Sequence, residues 1–360
     1  MNVIVLATAS RVRGALTIYK QFISHLAQEK CEDDYYVFVN ESMPKPQISR
    51  VRYIDMDTTS MLRRIRFDWN LCGKWLKKQG INPDVIVSLQ NTGLYTDKPQ
   101  LIYYHQSIPI YPEKWNILKS EERPLFFYKN VYPIFVRMTM NERTHYVVQI
   151  PFIKDGLIKM LNMAPERIHV MFPDVEHIDV KTFEPYNWGD DCLHFLYPAN
   201  LARYKRHDTL IEALLRLENR DKIKLHITLK YGERPDLEEL VKRYGLTDNV
   251  LFEGAIEHDK LLSMYKSSAG LLFPSQIETL GLPLLEAAAC GIPIVASDKD
   301  YAHQVAGNYE GIFFVDANDY DGWAKAISRL SVEKKQYKPL LMKESSWPQF
   351  FELVRKSKKD

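Results

Sequence analysis

Four cysteines stand in 360 residues, Cys31, Cys72, Cys192 and Cys290, far apart and with no Cys-x-x-Cys pair. Their scarcity argues against a zinc site or a disulfide framework and suggests a reducing compartment. Cys290, set among small residues, reads as a buried free thiol. No run approaches the ~18 to 20 apolar residues of a membrane span. The opening Met1-Asn-Val-Ile-Val-Leu-Ala-Thr-Ala9 lacks a basic segment and a long apolar core, so it reads as a first strand and not as a signal peptide. The net charge of +2 is too small to argue for nucleic acid. There is no Gly-x-Gly-x-x-Gly fingerprint and no P-loop, so NAD binding and ATP hydrolysis lose support. Internal repeats and low-complexity tracts are also absent.

What is present is globular material for two cores, 46% hydrophobic and 26% charged. Strand-like runs alternate with helix-like runs. In the first half the strands are 3–9, 35–40, 51–54, 85–89, 101–104 and 146–148, with helical patterns at 15–30 and 61–79. Continuous apolar strands between helices predict buried parallel sheets. A polar stretch, Val180–Asp191, interrupts the alternation. It restarts with strands at 193–197, 223–229, 250–253, 269–273 and 311–315 and helices at 208–217, 235–244, 258–267 and 320–330. The expectation is an α/β chain of two doubly wound, Rossmann-like domains facing across a cleft. The boundaries predicted are 1–185, 186–340 and a final amphipathic helix within 341–360 that packs back on the first domain.

The most informative stretch is Phe273-Pro-Ser-Gln-Ile-Glu278-Thr-Leu-Gly281-Leu-Pro283-Leu-Leu-Glu286-Ala-Ala-Ala-Cys-Gly291-Ile-Pro293-Ile-Val-Ala-Ser297. It reads as strand, loop, helix, turn, strand. Pro283 suits a first helical position, where its missing N–H costs nothing. Gly291 suits the left-handed residue past the helix end, and Pro293 prevents continuation. The loop thus ends where free backbone N–H groups emerge, a seat for a phosphate. Glu278 hangs in the loop and Glu286 lies about a turn inside the helix. Such a unit can hold a phosphate and hydrogen-bond hydroxyls on either side of it.

Other stretches offer chemistry beside a plain structural reading. Gly14, in Ser10-Arg-Val-Arg-Gly14, lets backbone approach an anion at a helix start, or simply turns the chain. His105, at a strand end, can bond a sugar hydroxyl or be structural. Asn200-Leu-Ala-Arg203-Tyr-Lys205-Arg206-His207 places three cations within four residues before a helix, suited to a phosphate pair or to a solvated loop. Asp208 is a plausible N-cap there. Asp55-Met-Asp57 and Asp298-Lys-Asp300 imitate metal-binding triplets, but loop and cap roles are favoured. The aromatic and basic run 124–137 can lie on a membrane surface or pack as helices under the first-domain site.

Together these elements resemble the retaining GT-B glycosyltransferases of sequence family 4. The carrying residues are Glu278 and Glu286 at the E-x7-E spacing, with Gly281, Pro283, Gly291, Pro293, Ser297 and Asp298 around them. The resemblance implies that Glu278 faces the donor sugar, Glu286 bonds the ribose, and backbone from Thr279 and Leu280 through Gly281 to Leu282 touches sugar and phosphate. It further implies that Lys205 binds phosphate, Gly14 belongs to the first-domain loop, His105 reaches the donor sugar, and Gly254 to Ile256 lie near the base. The family's usual arginine is Asn200 here, which leaves Arg203 or Arg206 to supply that charge.

The implied activity is transfer of a sugar from a nucleoside diphosphate donor to a hydroxyl of a saccharide or lipid-linked saccharide. The anomeric configuration is retained, with Glu278, Lys205 and His105 as the catalytic set. No metal and no further cofactor are expected, and no nucleic-acid partner. The implied setting is O-antigen or capsule synthesis, cytoplasmic, with peripheral contact at the inner membrane. The alternatives are a GT-B epimerase, a non-catalytic nucleotide-sugar-binding module, and a metal-dependent transferase using Asp55 and Asp57.

Overall fold

The computed structural model describes residues 1–357 apart from Val12, Lys30, Cys31, Glu176, His177, Asp179 and Lys334, and apart from the side chains of Arg13, Met61 and Lys181. Cys31, one of the four thiols noted above, therefore lies outside the described residues. The chain divides into two units, Met1–Asp174 with Glu344–Asp360, and Val175–Lys343.

The first unit is built on β1 (Asn2–Leu6), β2 (Asp34–Val39), β3 (Val51–Asp55), β4 (Val85–Ser88), β5 (Gln100–Tyr103), β6 (Thr144–Val148) and β7 (Ile168–Val170). They pair in the order β3-β2-β1-β4-β5-β6-β7, all parallel. The second unit has β8 (Leu193–Tyr197), β9 (Ile223–Ile227), β10 (Val250–Phe252), β11 (Gly270–Phe273), β12 (Ile294–Ser297) and β13 (Ile312–Val315), in the parallel order β10-β9-β8-β11-β12-β13. These are two doubly wound, Rossmann-like sheets. Helices cover both faces of such a sheet, and this is why strands as apolar as Val85–Ser88 and Gly270–Phe273 are buried at every residue.

In the first unit, one face of the sheet buries Val3, Val5, Val37 and Val87 against Phe22 of helix Arg13–Gln28 and against Trp347, Phe350 and Phe351. Those three aromatics belong to the last helix, Trp347–Lys356, so the chain's end completes the core of its first half. Trp347 stacks on Tyr103 at 5.8 Å and donates its indole N–H to Gln21. The opposite face buries Ile4, Phe38 and Ile86 against Phe67 and Leu76. The helix expected over 61–79 is three pieces, Met61–Arg66, a wide π-type turn at Phe67–Leu71, and Cys72–Lys78. The bulge buries Phe67 and Asp68 together. Such bulges are frequent at functional sites.

In each sheet the strand order reverses beside the first strand, at β1/β4 and at β8/β11. Loops leaving the carboxyl ends of those neighbours diverge, and the crevice between them is where ligands of this architecture bind.

Candidate functional site

At the second switch point two loops meet, 198–206 after β8 and 274–281 after β11. Each is held by its own polar bonds. The Asn200 side chain accepts from the amide of Ala202 at 3.0 Å, closing a small turn. Residues Arg203–Lys205 form one tight helical turn, and the hydroxyl of the buried Tyr197 donates to the carbonyl of Lys205. On the other loop, Tyr301 donates its hydroxyl to the carbonyl of Ser275 at 2.7 Å. The amide of Gln276 then donates to the carbonyl of Tyr204 at 2.9 Å and joins the two loops.

That junction brings Lys205 and Glu278 together, 73 residues apart in sequence, with Nζ to Oε1 at 2.5 Å. Their side chains are 10% and 14% exposed. A charge-assisted bond so little exposed fixes both ends in one geometry. Gly281 follows at φ +71°, the left-handed region that suits glycine, and opens the helix Leu282–Ala289. A methyl placed on Gly281 comes within 3.8 Å of the Glu278 side chain, which places the carboxylate stem beside the helix start. Leu282 is the first helical residue and Pro283 the second, so Pro283 removes an N–H that has no helical partner. Leu280 is buried, whereas Thr279 and Leu282 are partly exposed. Glu286 lies inside the helix, where it accepts from the Tyr265 hydroxyl at 3.5 Å. Cys290 is free and buried, and burial pushes its thiol up to about 12. Gly291 is left-handed at φ +73°, as its place after the helix requires.

The two arginines differ in their partners. Arg203 faces Asp236 at 3.6 Å. Arg206 is itself left-handed (φ +53°) and caps the helix His207–Leu215 with its backbone. Its guanidinium bonds Asp208, Asn318 and the Tyr320 hydroxyl. The N-cap position assigned to Asp208 therefore belongs to Arg206, and Asp208 sits in the first turn as its ion partner. Gly254 (φ +70°) follows β10 with its amide on the carbonyl of Leu229, and Ile256 is half-buried beyond it.

Two neighbours carried no signal in the sequence. Arg234 bonds the carbonyl of Leu201 at 2.9 Å and forks onto Asp236 with two bonds of 2.8 Å. It leaves the loop after β9, the strand next to β8, so sheet order alone brings it here. His207 is 2% exposed, and neither ring nitrogen has a hydrogen-bond partner among the described residues. Burial first, then the charges of Arg234 and Lys205, hold it neutral, down to about 3.

Gly14 and His105 belong to the first unit. Gly14 is exposed at the start of helix Arg13–Gln28, with open space where a side chain would stand. His105 follows β5; its amide donates to Asn91 at 2.6 Å, and its buried Nδ1 has no partner among the described residues. Burial and the charge of Arg64 lower it to about 4. The acidic triplets act locally. Asp55 pairs with Lys45, Asp57 accepts from Thr59, and Asp298 meets His303 at 2.7 Å. Among the described residues no three His, Cys, Asp or Glu side chains gather as metal ligands, and no helix is long and apolar enough to cross a membrane.

Two Rossmann-like parallel sheets in one chain make this a GT-B fold. Residues 181–340 match the family model described as Glycosyl transferases group 1. Over 290 residues the chain is 23% identical to the O-antigen chain mannosyltransferase RfbU of Salmonella typhimurium, covering 76% of this chain and 74% of that one. Its matches to several D-inositol 3-phosphate glycosyltransferases span less than half of those proteins' length. Among solved structures, WaaG, a glycosyltransferase involved in lipopolysaccharide biosynthesis, superposes with a TM-score of 0.68 at 17% identity, over 93% of this chain and 91% of its own. HepE of Anabaena, in complex with UDP-glucose, gives a TM-score of 0.64 at 13% identity, over 93% and 90%.

Proposed function

We propose that the protein is a retaining glycosyltransferase that moves a sugar from a nucleoside diphosphate sugar to a saccharide or lipid-linked saccharide. The observation that carries the proposal is the Lys205–Glu278 pair beside the amide end of helix Leu282–Ala289, at a sheet switch point. A diphosphate seated there meets a lysine and emerging backbone N–H groups. Glu278 then takes sugar hydroxyls and Glu286 the ribose. The UDP-glucose held by HepE supports a nucleotide-sugar donor, and the likeness to RfbU and WaaG supports a surface-polysaccharide acceptor.

In this reading Lys205 stabilises the charge that grows on the leaving diphosphate, a preorganised field that needs no metal. The departing phosphate oxygen, on the face the acceptor enters, takes the acceptor proton, and the configuration is retained. Arg203, the more exposed of the two arginines at 53% against 15%, is the second phosphate cation. His105 and Gly14 serve the donor from the first unit. Peripheral membrane contact fits the exposed Ile134 and Met138 near Arg137, on a helix of the aromatic and basic run. Glu278→Ala and Lys205→Ala each lower turnover by ~10² or more, the scale of losing a preorganised charge contact. Near-normal turnover in both variants defeats the assignment.

A further inference from the structure

At the first unit's own switch point lies a pocket of about 410 Å³, formed by the loops that leave β1, β3, β4 and β5 and by the helices Arg123–Asn130 and Tyr132–Met138. Its lining includes Arg11, Arg64, His105, Gln106, Tyr128 and Tyr132.

The pocket is built from behind. Arg64 donates Nε to Asp68 at 2.9 Å and Nη2 to Thr92 at 2.8 Å and to the carbonyl of Gln90 at 3.1 Å. Asp68 also accepts from Thr92 at 2.8 Å and from Gln90 at 3.2 Å. Thr8 and Thr58 extend the network through Gln90. Three donors therefore occupy Asp68, while Nη1 of Arg64 makes no bond among the described residues. Asp68 is the single carboxylate among the lining residues. Arg11 carries no hydrogen bond or ion pair among the described residues, and its charge acts on Asp57 through space. The Gln106 side-chain oxygen accepts from Ile108, leaving its amide N–H₂ as a further donor. Asn91 is held left-handed at φ +68° where its side chain fixes the amide of His105. Backbone strain of this kind concentrates at binding sites.

The pocket thus offers donors and almost no accepting charge, with Tyr128, Tyr132 and Phe135 as an aromatic wall. Tyr128 and Tyr132 lie at 5.4 Å from each other. Guanidinium nitrogens set by a carboxylate behind them suit a planar anion, and aromatic walls suit a ring's apolar face. We propose that this pocket binds an acidic saccharide, one whose ring carries a carboxylate or a phosphate. It rests on the transferase reading in one respect: the acidic saccharide is the acceptor.

The test titrates the full chain by calorimetry with glucuronate, glucose 6-phosphate, glucose and inorganic phosphate. One or both charged sugars bind about tenfold or more tighter than glucose and than phosphate, a difference of about 1.4 kcal/mol. Arg11→Gln removes most of that preference. The double variant Arg64→Gln with Asp68→Asn, which leaves no buried charge unpaired, removes it too. Equal binding of glucose and the charged sugars overturns the proposal, as does phosphate binding as tightly as either, or an unchanged preference in Arg11→Gln. Displacement of bound glucuronate by UDP or GDP also overturns it, because the pocket then belongs to the donor. No nucleotide is needed for the sugar titrations. Loss of the transferase reading, seen as no melting shift with any nucleoside diphosphate, is therefore told apart from loss of this one.

Discussion

Lys205 and Glu278 illustrate what single residues can and cannot declare. Each was legible by type and by the frame around it: a cation before one helix, a carboxylate before another. That they bind each other was not, because the bond depends on the Gln276–Tyr204 contact between two loops. Breaking such a little-exposed pair by removing one partner is expensive, whereas removing both is milder. Lys205→Ala and Glu278→Ala are each expected to lower stability by more than the double variant does, read as a positive coupling in urea unfolding. Additive losses would mean the side chains do not meet. In the sequence His207 stands only as the last residue of a basic run, and Arg234 gives no signal, since a lone arginine before a proline looks like any surface charge. His207 also carries a pH signature. Its native value of about 3 lies below the unfolded value of about 6.5. The unfolded chain binds the extra proton, so the stability tied to neutral His207 is present above about pH 6.5 and is lost as pH falls toward 3. His207→Phe, which keeps a ring against Tyr197, flattens the acid slope by up to one proton, about 1.4 kcal/mol per pH unit. An unchanged slope in denaturant titrations between about pH 6 and pH 4 would mean His207 is not held neutral.

Among the elements, those with two marked ends were read well. Helix Leu282–Ala289 has Pro283 and Gly291 at its limits, and the strands of the second sheet have continuous apolar runs. What escaped was short or locally ambiguous. β7 is three residues long, Ile-His-Val, too brief for periodicity to show. Helix Asp300–Ala306 has two turns and lacks a side-chain cap. Helix Pro151–Leu161 follows β6 with no polar cap to announce it. The break at Phe67–Leu71 inside an unbroken helical pattern accompanies the burial of Asp68 where Gln90 and Thr92, on the loop after β4, donate to it, a tertiary cause. The run 124–137 became two proline-started helices whose aromatics line the first-unit pocket. Gly291 tests the element scale. It is left-handed, and an added methyl would stand 2.6 Å from the carbonyl oxygen of Tyr337. Gly291→Ala therefore costs about 1 to 3 kcal/mol, measured as a drop in denaturation midpoint. A neutral result would mean the loop at 337 yields freely.

For the molecule as a whole, the alternation of strands and helices disclosed two parallel sheets, while the composition disclosed neither their strand order nor the residues at their switch points. The last helix is the exception to domain order: it follows the second unit in sequence and fills the core of the first. Trp347, 2% exposed, is central to that core. Trp347→Ala costs about 3 to 5 kcal/mol, and it lowers the melting of the first unit without changing nucleotide-induced stabilisation of the second. A loss below about 1 kcal/mol would show the helix to be dispensable. The function turns on the place of the diphosphate. Its most direct measurement is a crystal structure with the nucleoside diphosphate that most raises the melting temperature in a screen of UDP, GDP, dTDP and ADP. Phosphate oxygens are expected within hydrogen-bond reach of Lys205 Nζ and of backbone amides between Leu280 and Leu282, with the ribose at Glu286. Phosphates bound elsewhere, touching neither the lysine nor those amides, would contradict it.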